Sequence, residues 1–293
     1  MRAGVTLRRG DWTLAVRADL GGALTALSHG AEPVLRDSAP DVSAPLDTAC
    51  FPLVPYANRI AHGRFRHGGR AWQLPPNFGA HPHPLHGVGW LSAWRVLERD
   101  AAAIVLEHRH DGAPAWPWGY RATQRIAIDD GGVDLSLEVE SRAGEAMPIG
   151  LGFHPAFPVA ADTILQADVG RVWLADADCL PTRRARAEHF ADWRSGARVR
   201  RADLIDNCHE RWGRSAALTT AARTTVLRAA SGLDWLHIYI PPGRDYCCVE
   251  PVSHMPDALN RPSADAPTGF AELAPGDSRA VAIRIEVLDR RSS

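Results

Sequence analysis

Apolar and polar residues alternate along much of this chain. Val133, Leu135, Leu137 and Val139 point one way, and Asp134, Ser136, Glu138 and Glu140 the other, the two-residue period of a half-buried strand. Val281, Ile283, Ile285 and Val287 repeat the pattern, entered through the turn signal Pro275-Gly276-Asp277. Trp12, Leu14 and Val16 form a shorter alternation, and Gly21-Gly22 then marks a turn before Leu24 and Leu27. Trp94 and Val96 alternate into the apolar stretch Ile104 to Glu107. Phe65 to Leu74 carries Gly68-Gly69 between two short extended runs and predicts a hairpin. Leu236 to Ile240 is a further strand, followed by the turn Pro241-Pro242-Gly243-Arg244-Asp245 and a strand from Tyr246. No segment sustains a helical period of comparable strength. The expectation is an all-β fold, a large antiparallel sandwich with few short helices. With no linker or low-complexity break, residues 1–293 are expected to form one domain.

Charge and composition narrow the functions this fold can carry. The formal net charge is -1 and the isoelectric point about 6.9, which gives no electrostatic reason to expect nucleic acid or an anionic membrane as partner. Every basic side chain other than histidine is arginine, so lysine Schiff-base chemistry is excluded. Five cysteines, with Cys247 and Cys248 adjacent and no C-x-x-C, argue against a disulfide framework or a zinc ribbon. No signal-type apolar core opens the chain and no apolar run reaches membrane-spanning length, so a cytoplasmic location is expected.

Several polar-rich stretches stand out against the strands. Glu250 closes the run Tyr246-Cys-Cys-Val and precedes Pro251. Proline lacks a ladder donor and biases the preceding residue to extended geometry, so the strand is expected to end there and free Glu250 to face a cleft; a solvated edge glutamate is the alternative. Phe51 to Ile60 leads an apolar run into Asn58-Arg59, where the guanidinium either forks onto vicinal hydroxyls or a carboxylate, or lies on the surface over its own buried stem. His81, His83 and His86 suggest a metal site, but the intervening prolines and the lack of a nearby cysteine or carboxylate argue against one. The preferred reading has His86 presenting a ring nitrogen to a polar ligand, with His81 and His83 as loop residues. In Met147 to Pro158, Gly150 and Gly152 leave room for a backbone or ligand, and His154 follows as a general acid or base or as a satisfied core histidine. Asp206 either orients a hydroxyl or caps a turn, and the Arg-rich stretch Arg183 to Arg201 is read as a solvated excursion.

Taken in order, Gly21-Gly22, FPLVPYANRI, GRFRHGGRAWQLPPN, HPLHG, MPIGLGFHPAFP, LIDNCHERW, VEPVSHMPDALN and LAPGDSRAVAIRI resemble the aldose 1-epimerases, or galactose mutarotases, over nearly the whole chain. The resemblance implies an all-β supersandwich whose cleft binds one small sugar, with no metal or other cofactor. The family's catalytic glutamate and histidine fall on Glu250 and His154, and its ligand-positioning residues on Arg59, His86 and Asp206. The implied reaction exchanges α and β anomers of a free aldohexose. One group takes the C1 hydroxyl proton while the other protonates the ring oxygen; the ring opens, C1 rotates and the ring closes on its other face. The GFHPAF wording around His154 departs from the N-H-x-Y-F of galactose-binding members, so the particular sugar is not implied. Three other readings compete: a hexose-phosphate epimerase relative using the Arg183 to Arg201 run, a glycoside hydrolase using Asp206 with Glu250, and a non-catalytic sugar-binding module. Trp116 and Trp118 either stack on the sugar or belong to the core. Cys247 and Cys248 are expected to pack around their strand, and His254 carries no assigned role.

Overall fold

The computed structural model describes residues 4–261 and 268–289. Val133–Ser141 pairs antiparallel with Tyr120–Ile128 on one side and Ser278–Asp289 on the other, at the centre of a nine-stranded sheet. Its alternation works as the sequence predicts: Val133, Leu135, Leu137 and Val139 are buried while their neighbours are at least partly exposed. A second, eight-stranded sheet runs through Pro181–Ala185, Val172–Ala175, Ile205–His209, Trp235–Ile240, Tyr246–Val252, Gly152–Phe153 and Pro52–Leu53, with Ala156–Pro158 pairing beside Tyr246–Val252. Leu137 and Ile283 of the first sheet and Leu236 and Val249 of the second share one buried apolar cluster. This apolar interior is the main driving force for the stacked arrangement. A four-stranded sheet built from residues 5–33 joins the same cluster through Trp12, Leu14 and Val16. Among the described residues the only helices are four short 3-10 turns, and none is long and apolar enough to cross a membrane.

The predicted hairpin is present as Arg64–His67 with Arg70–Gln73. Gly21 has a φ of +67°, and a Cβ there would stand 2.2 Å from the carbonyl oxygen of Trp90, so the turn and the close approach both require glycine. Trp116 and Trp118 do not stack on a ligand. They are 0 % and 2 % exposed and pack against each other, Tyr56 and Phe65, with Trp72 closing over Trp118. The reason is area: an indole contributes more by filling the space under the hairpin than a loop position exposed to water would allow.

The interior also holds neutral histidines. Burial pushes His108, His209 and His254 down to about 4. Each takes up a proton more readily unfolded than folded, so its contribution is fully present above pH 6.5 and lost as pH falls toward 4. The melting temperature is therefore expected to drop steeply between pH 6.5 and 4, followed by scanning calorimetry; a flat profile would contradict the burial of these rings.

Candidate functional site

Three neighbouring strands form the floor of the site. Ile205–His209, Trp235–Ile240 and Tyr246–Val252 lie side by side, with Asp206 opposite Tyr239, Tyr239 opposite Cys248 and His237 opposite Glu250. Because successive side chains point to opposite faces, Leu236, Ile238, Ile240, Cys247 and Val249 enter the core. Asp206, His237, Tyr239, Cys248 and Glu250 therefore share the other face, which lines a cleft of about 310 Å³. All five residues singled out from the sequence, Arg59, His86, His154, Asp206 and Glu250, line this cleft.

Glu250 does not end its strand. Pairing runs on through Pro251 to Val252, which faces Trp235 on one side and Gly152 on the other. Proline removes only the single donor it carries, and the flanking strands resume the ladder one residue later. Glu250 is consequently a mid-strand carboxylate, 2 % exposed. The glycines serve the frame rather than a ligand: a Cβ on Gly152 would meet Pro251 and Val252, and one on Gly150 would stand 2.0 Å from the His254 ring.

His254 thus acquires a place. Its Nε2 accepts from the Ala57 N–H at 3.0 Å, and its Nδ1 donates to the Met255 carbonyl at 2.7 Å. Asp257 adds two ties, donating its N–H to the Arg59 carbonyl and accepting from the Ala61 N–H. These contacts fasten the Arg59 segment to the segment that follows Glu250, which fixes one wall of the cleft against its floor.

The wall itself contains two residues in the left-handed region, Asn58 at φ +58° and His86 at φ +56°. Such conformations cost non-glycine residues energy and persist where their surroundings hold them. Here the two hold each other: the Asn58 N–H donates to His86 Nδ1 at 3.0 Å, and the His86 N–H donates to the Asn58 carbonyl at 2.9 Å. Burial pushes His86 well down, with the positive charge of neighbouring groups acting in the same direction. The ring is neutral with its proton on Nε2, a donor suited to a ligand oxygen.

His154 is held by its own N–H on the Phe51 carbonyl, and its ring stacks on Phe51 at 4.5 Å. Its Nε2 lies 3.4 Å from Glu250 Oε1. Burial lowers its proton affinity, and the charge of Glu250 opposes that shift without cancelling it. Arg59 donates to Asn58 Oδ1 and stands 3.7 Å from Asp206 Oδ2, while its Nε is buried without a partner among the described residues.

His237 was not legible as a site residue. Its Nε2 lies 2.6 Å from Asp206 Oδ1, and its Nδ1 is 3.5 Å from Asn58 Nδ2. Burial would favour neutral forms of both, yet the mutual attraction outweighs it. His237 is raised well above its ordinary value by Glu250 and Asp206, and Asp206 is held down at about 2 by His237 and Arg59. Both shifts run in the direction that favours an imidazolium on a carboxylate. The signal that could have found it is the alternation in Leu236-His-Ile-Tyr-Ile, which puts His237 and Tyr239 on the face opposite the aliphatic residues.

Cys248 lines the cleft instead of packing around its strand as Cys247 does, and its Sγ lies within 4.8 Å of the His154 and Glu250 ligand atoms. His81 and His83 do not line the cleft; His83 Nδ1 accepts from the His62 N–H and His81 Nδ1 from the His83 N–H. Nor does the Arg183 to Arg201 run reach it. Trp193 and Val199 pin that stretch to the core, and Arg183, Arg184 and Arg186 line an open surface groove with Arg171.

An all-β supersandwich carrying a buried carboxylate and imidazole in a polar cleft places this molecule among the mutarotase-like proteins. The family model for aldose 1-epimerase matches residues 4–286, and the chain belongs to that family. Among similar proteins, uncharacterized protein YphB of Escherichia coli K12 is 29% identical over 297 residues, covering 97% of this chain and 99% of the relative. A second protein of that organism, uncharacterized protein YihR, is 23% identical over 87% of this chain and 85% of its own length. The crystal structure of a candidate aldose 1-epimerase of E. coli K12 superposes with a TM-score of 0.91 at 27% identity, covering 98% of this chain and 99% of that one. A galactose mutarotase-like protein from Clostridium acetobutylicum gives 0.87 at 19% identity, over 98% and 95% of the two chains, and so speaks to the fold alone.

Proposed function

We propose that this protein is an aldose 1-epimerase that interconverts the α and β anomers of a free aldohexose. The observation that carries the reading is the 3.4 Å approach of His154 Nε2 to Glu250 Oε1 inside a cleft also lined by Arg59, His86 and Asp206. Glu250 takes the proton of the C1 hydroxyl while protonated His154 delivers its proton to the ring oxygen. The C1–O5 bond breaks and C1 becomes an aldehyde carbonyl. Rotation about C1–C2 presents the other face, the ring oxygen attacks, and the two groups exchange roles to restore their protons. A proton weakly held by a buried imidazole is readily given up, and the adjacent carboxylate supports the imidazolium long enough to act. The chemistry of this scheme needs no redox step. His86 Nε2–H, the Arg59 guanidinium and the Asp206 carboxylate hold the remaining hydroxyls, which keeps the open-chain form in place while its C1 end turns.

Two features favour this over the competing enzyme readings. A phosphate clamp would require guanidinium groups in the cleft, and Arg59, the one arginine lining it among the described residues, already faces Asp206. A glycosidase acid must hold a proton near neutrality, whereas Asp206 is kept ionised by His237.

The direct test follows the optical rotation of freshly dissolved α-D-galactose, α-D-glucose and a panel of other aldoses. Equilibration is expected to speed up in proportion to enzyme concentration with at least one free aldose. Acceleration confined to hexose phosphates would transfer the reading to that class. Sugar binding without any acceleration would leave a binding module.

A further inference from the structure

We propose that the cleft is also a binding site for one borderline-soft divalent cation of the zinc type, held by His154 Nε2, Cys248 Sγ and a Glu250 oxygen. The three ligand atoms lie within 4.8 Å of one another and all three residues are buried. Zinc bonds of about 2.0–2.3 Å to nitrogen, oxygen and sulfur put the donors of a tetrahedral site roughly 3.3–3.7 Å apart. The 3.4 Å between His154 and Glu250 already satisfies that, so only the thiol has to close in.

The frame explains why these donors converge. Cys248 and Glu250 are two residues apart on one strand and therefore point to the same face, and Ala156, two residues beyond His154, pairs with Cys248. Nε2 is the His154 ring nitrogen that faces Glu250, and with that nitrogen deprotonated two acceptors meet. Two acceptors facing each other need either a proton or a cation between them. Carboxylate and thiolate together bring two negative charges to a divalent ion, and the thiol proton leaves to solvent as the Zn–S bond forms. Imidazole and thiolate select zinc or cobalt over magnesium or calcium, which prefer oxygen. His237 and Arg59 bring positive charge to the same cleft, which places the site among reversible ones rather than structural ones. If Glu250 and His154 are the base and acid proposed above, the ion removes both at once and acts as a reversible inhibitor; the binding itself does not depend on that reading.

The test is a titration of the full-length, chelator-treated protein with Co2+, followed by competition with Zn2+ and with Mg2+. One equivalent of Co2+ should produce a near-ultraviolet thiolate-to-cobalt charge-transfer band and the visible bands of a four-coordinate ion, erased by Zn2+ and untouched by Mg2+. Cys248→Ser should lose the charge-transfer band and weaken Zn2+ binding, read with a chelating dye, by at least about tenfold. His154→Gln should keep a charge-transfer band while also weakening Zn2+ about tenfold, which decides the matter if the serine variant fails to fold. No band in the wild type, a band surviving in Cys248→Ser, or unchanged Zn2+ affinity in either folded variant overturns the site. None of these readouts uses mutarotation, so an enzyme inactive on every sugar would leave the cation result standing.

Discussion

Replacing Glu250 by Gln should lower kcat for anomer exchange by about two orders of magnitude or more, the range for losing a general acid or base. The substitution changes little else. Glutamine has the same length, still fits the buried position opposite His237 and still offers an oxygen to neighbouring donors, but it cannot take the C1 hydroxyl proton. Arg59, His86 and Asp206 are untouched, so KM should move far less than kcat. His154→Asn should behave alike, because it removes the acid that protonates the ring oxygen while Glu250 acts on the C1 hydroxyl. Polarimetry at several sugar concentrations separates the two constants, and circular dichroism checks the fold. A folded Glu250→Gln enzyme with an unchanged rate would end the assignment of this carboxylate as base.

His237→Gln should damage a different property. It removes the charged hydrogen bond to Asp206 and leaves that buried carboxylate with Arg59 at 3.7 Å as its remaining cation among the described residues. Hydrogen bonds to charged groups contribute about 2 kcal/mol, so a stability loss of that order is expected in chemical denaturation. Asp206 would also lose its fixed orientation, so KM should rise by more than kcat falls. The stability loss carries a pH signature. His237 is raised on folding, so its share is full below pH 6.5 and fades as pH climbs through the raised value. Asp206 is lowered to about 2, so its share is present above its ordinary value near 3.8 and is lost as pH falls toward 2. The gap between wild type and variant should be widest between about pH 4 and 6.5 and narrow in alkali. A gap that widens with alkali would mean that His237 sits neutral beside Asp206.

Local patterns carried much of the architecture because local physics sets it. Two-residue alternation in Val133 to Val139 and Val281 to Val287 can be read without knowing which strand lies next door, since each strand needs one apolar face wherever it is placed. The Gly68-Gly69 hairpin is equally local. The site residues were legible through ordered motifs from five separate stretches, and the fold brings Arg59, His86, His154, Asp206 and Glu250 into one cleft.

One misreading depended on neighbours distant in the chain, and another overlooked the alternation of a strand. Pro251 looks like a strand end until Trp235 and Gly152 are found pairing with Val252 beyond it. The choice left open for Trp116 and Trp118 depended on distant residues too, and Phe65 and Trp72 decide it for the core. Cys248 looks like a core residue beside Cys247, but adjacent strand residues must face opposite ways, and the core took Cys247.

By itself, then, the sequence determined several of the strands and their apolar faces, the family and the chemical character of the residues that meet in the cleft. Only the tertiary structure decided that His237 stands opposite Glu250 and beside Asp206, which raises its proton affinity. It also decided that His254 anchors the Arg59 segment through Ala57. The physical reason is that a strand's alternation says which residues share a face but not which other strands that face will lie beside. Cross-strand register, set between segments far apart in the chain, makes that choice and so brings Asp206, His237 and Glu250 together.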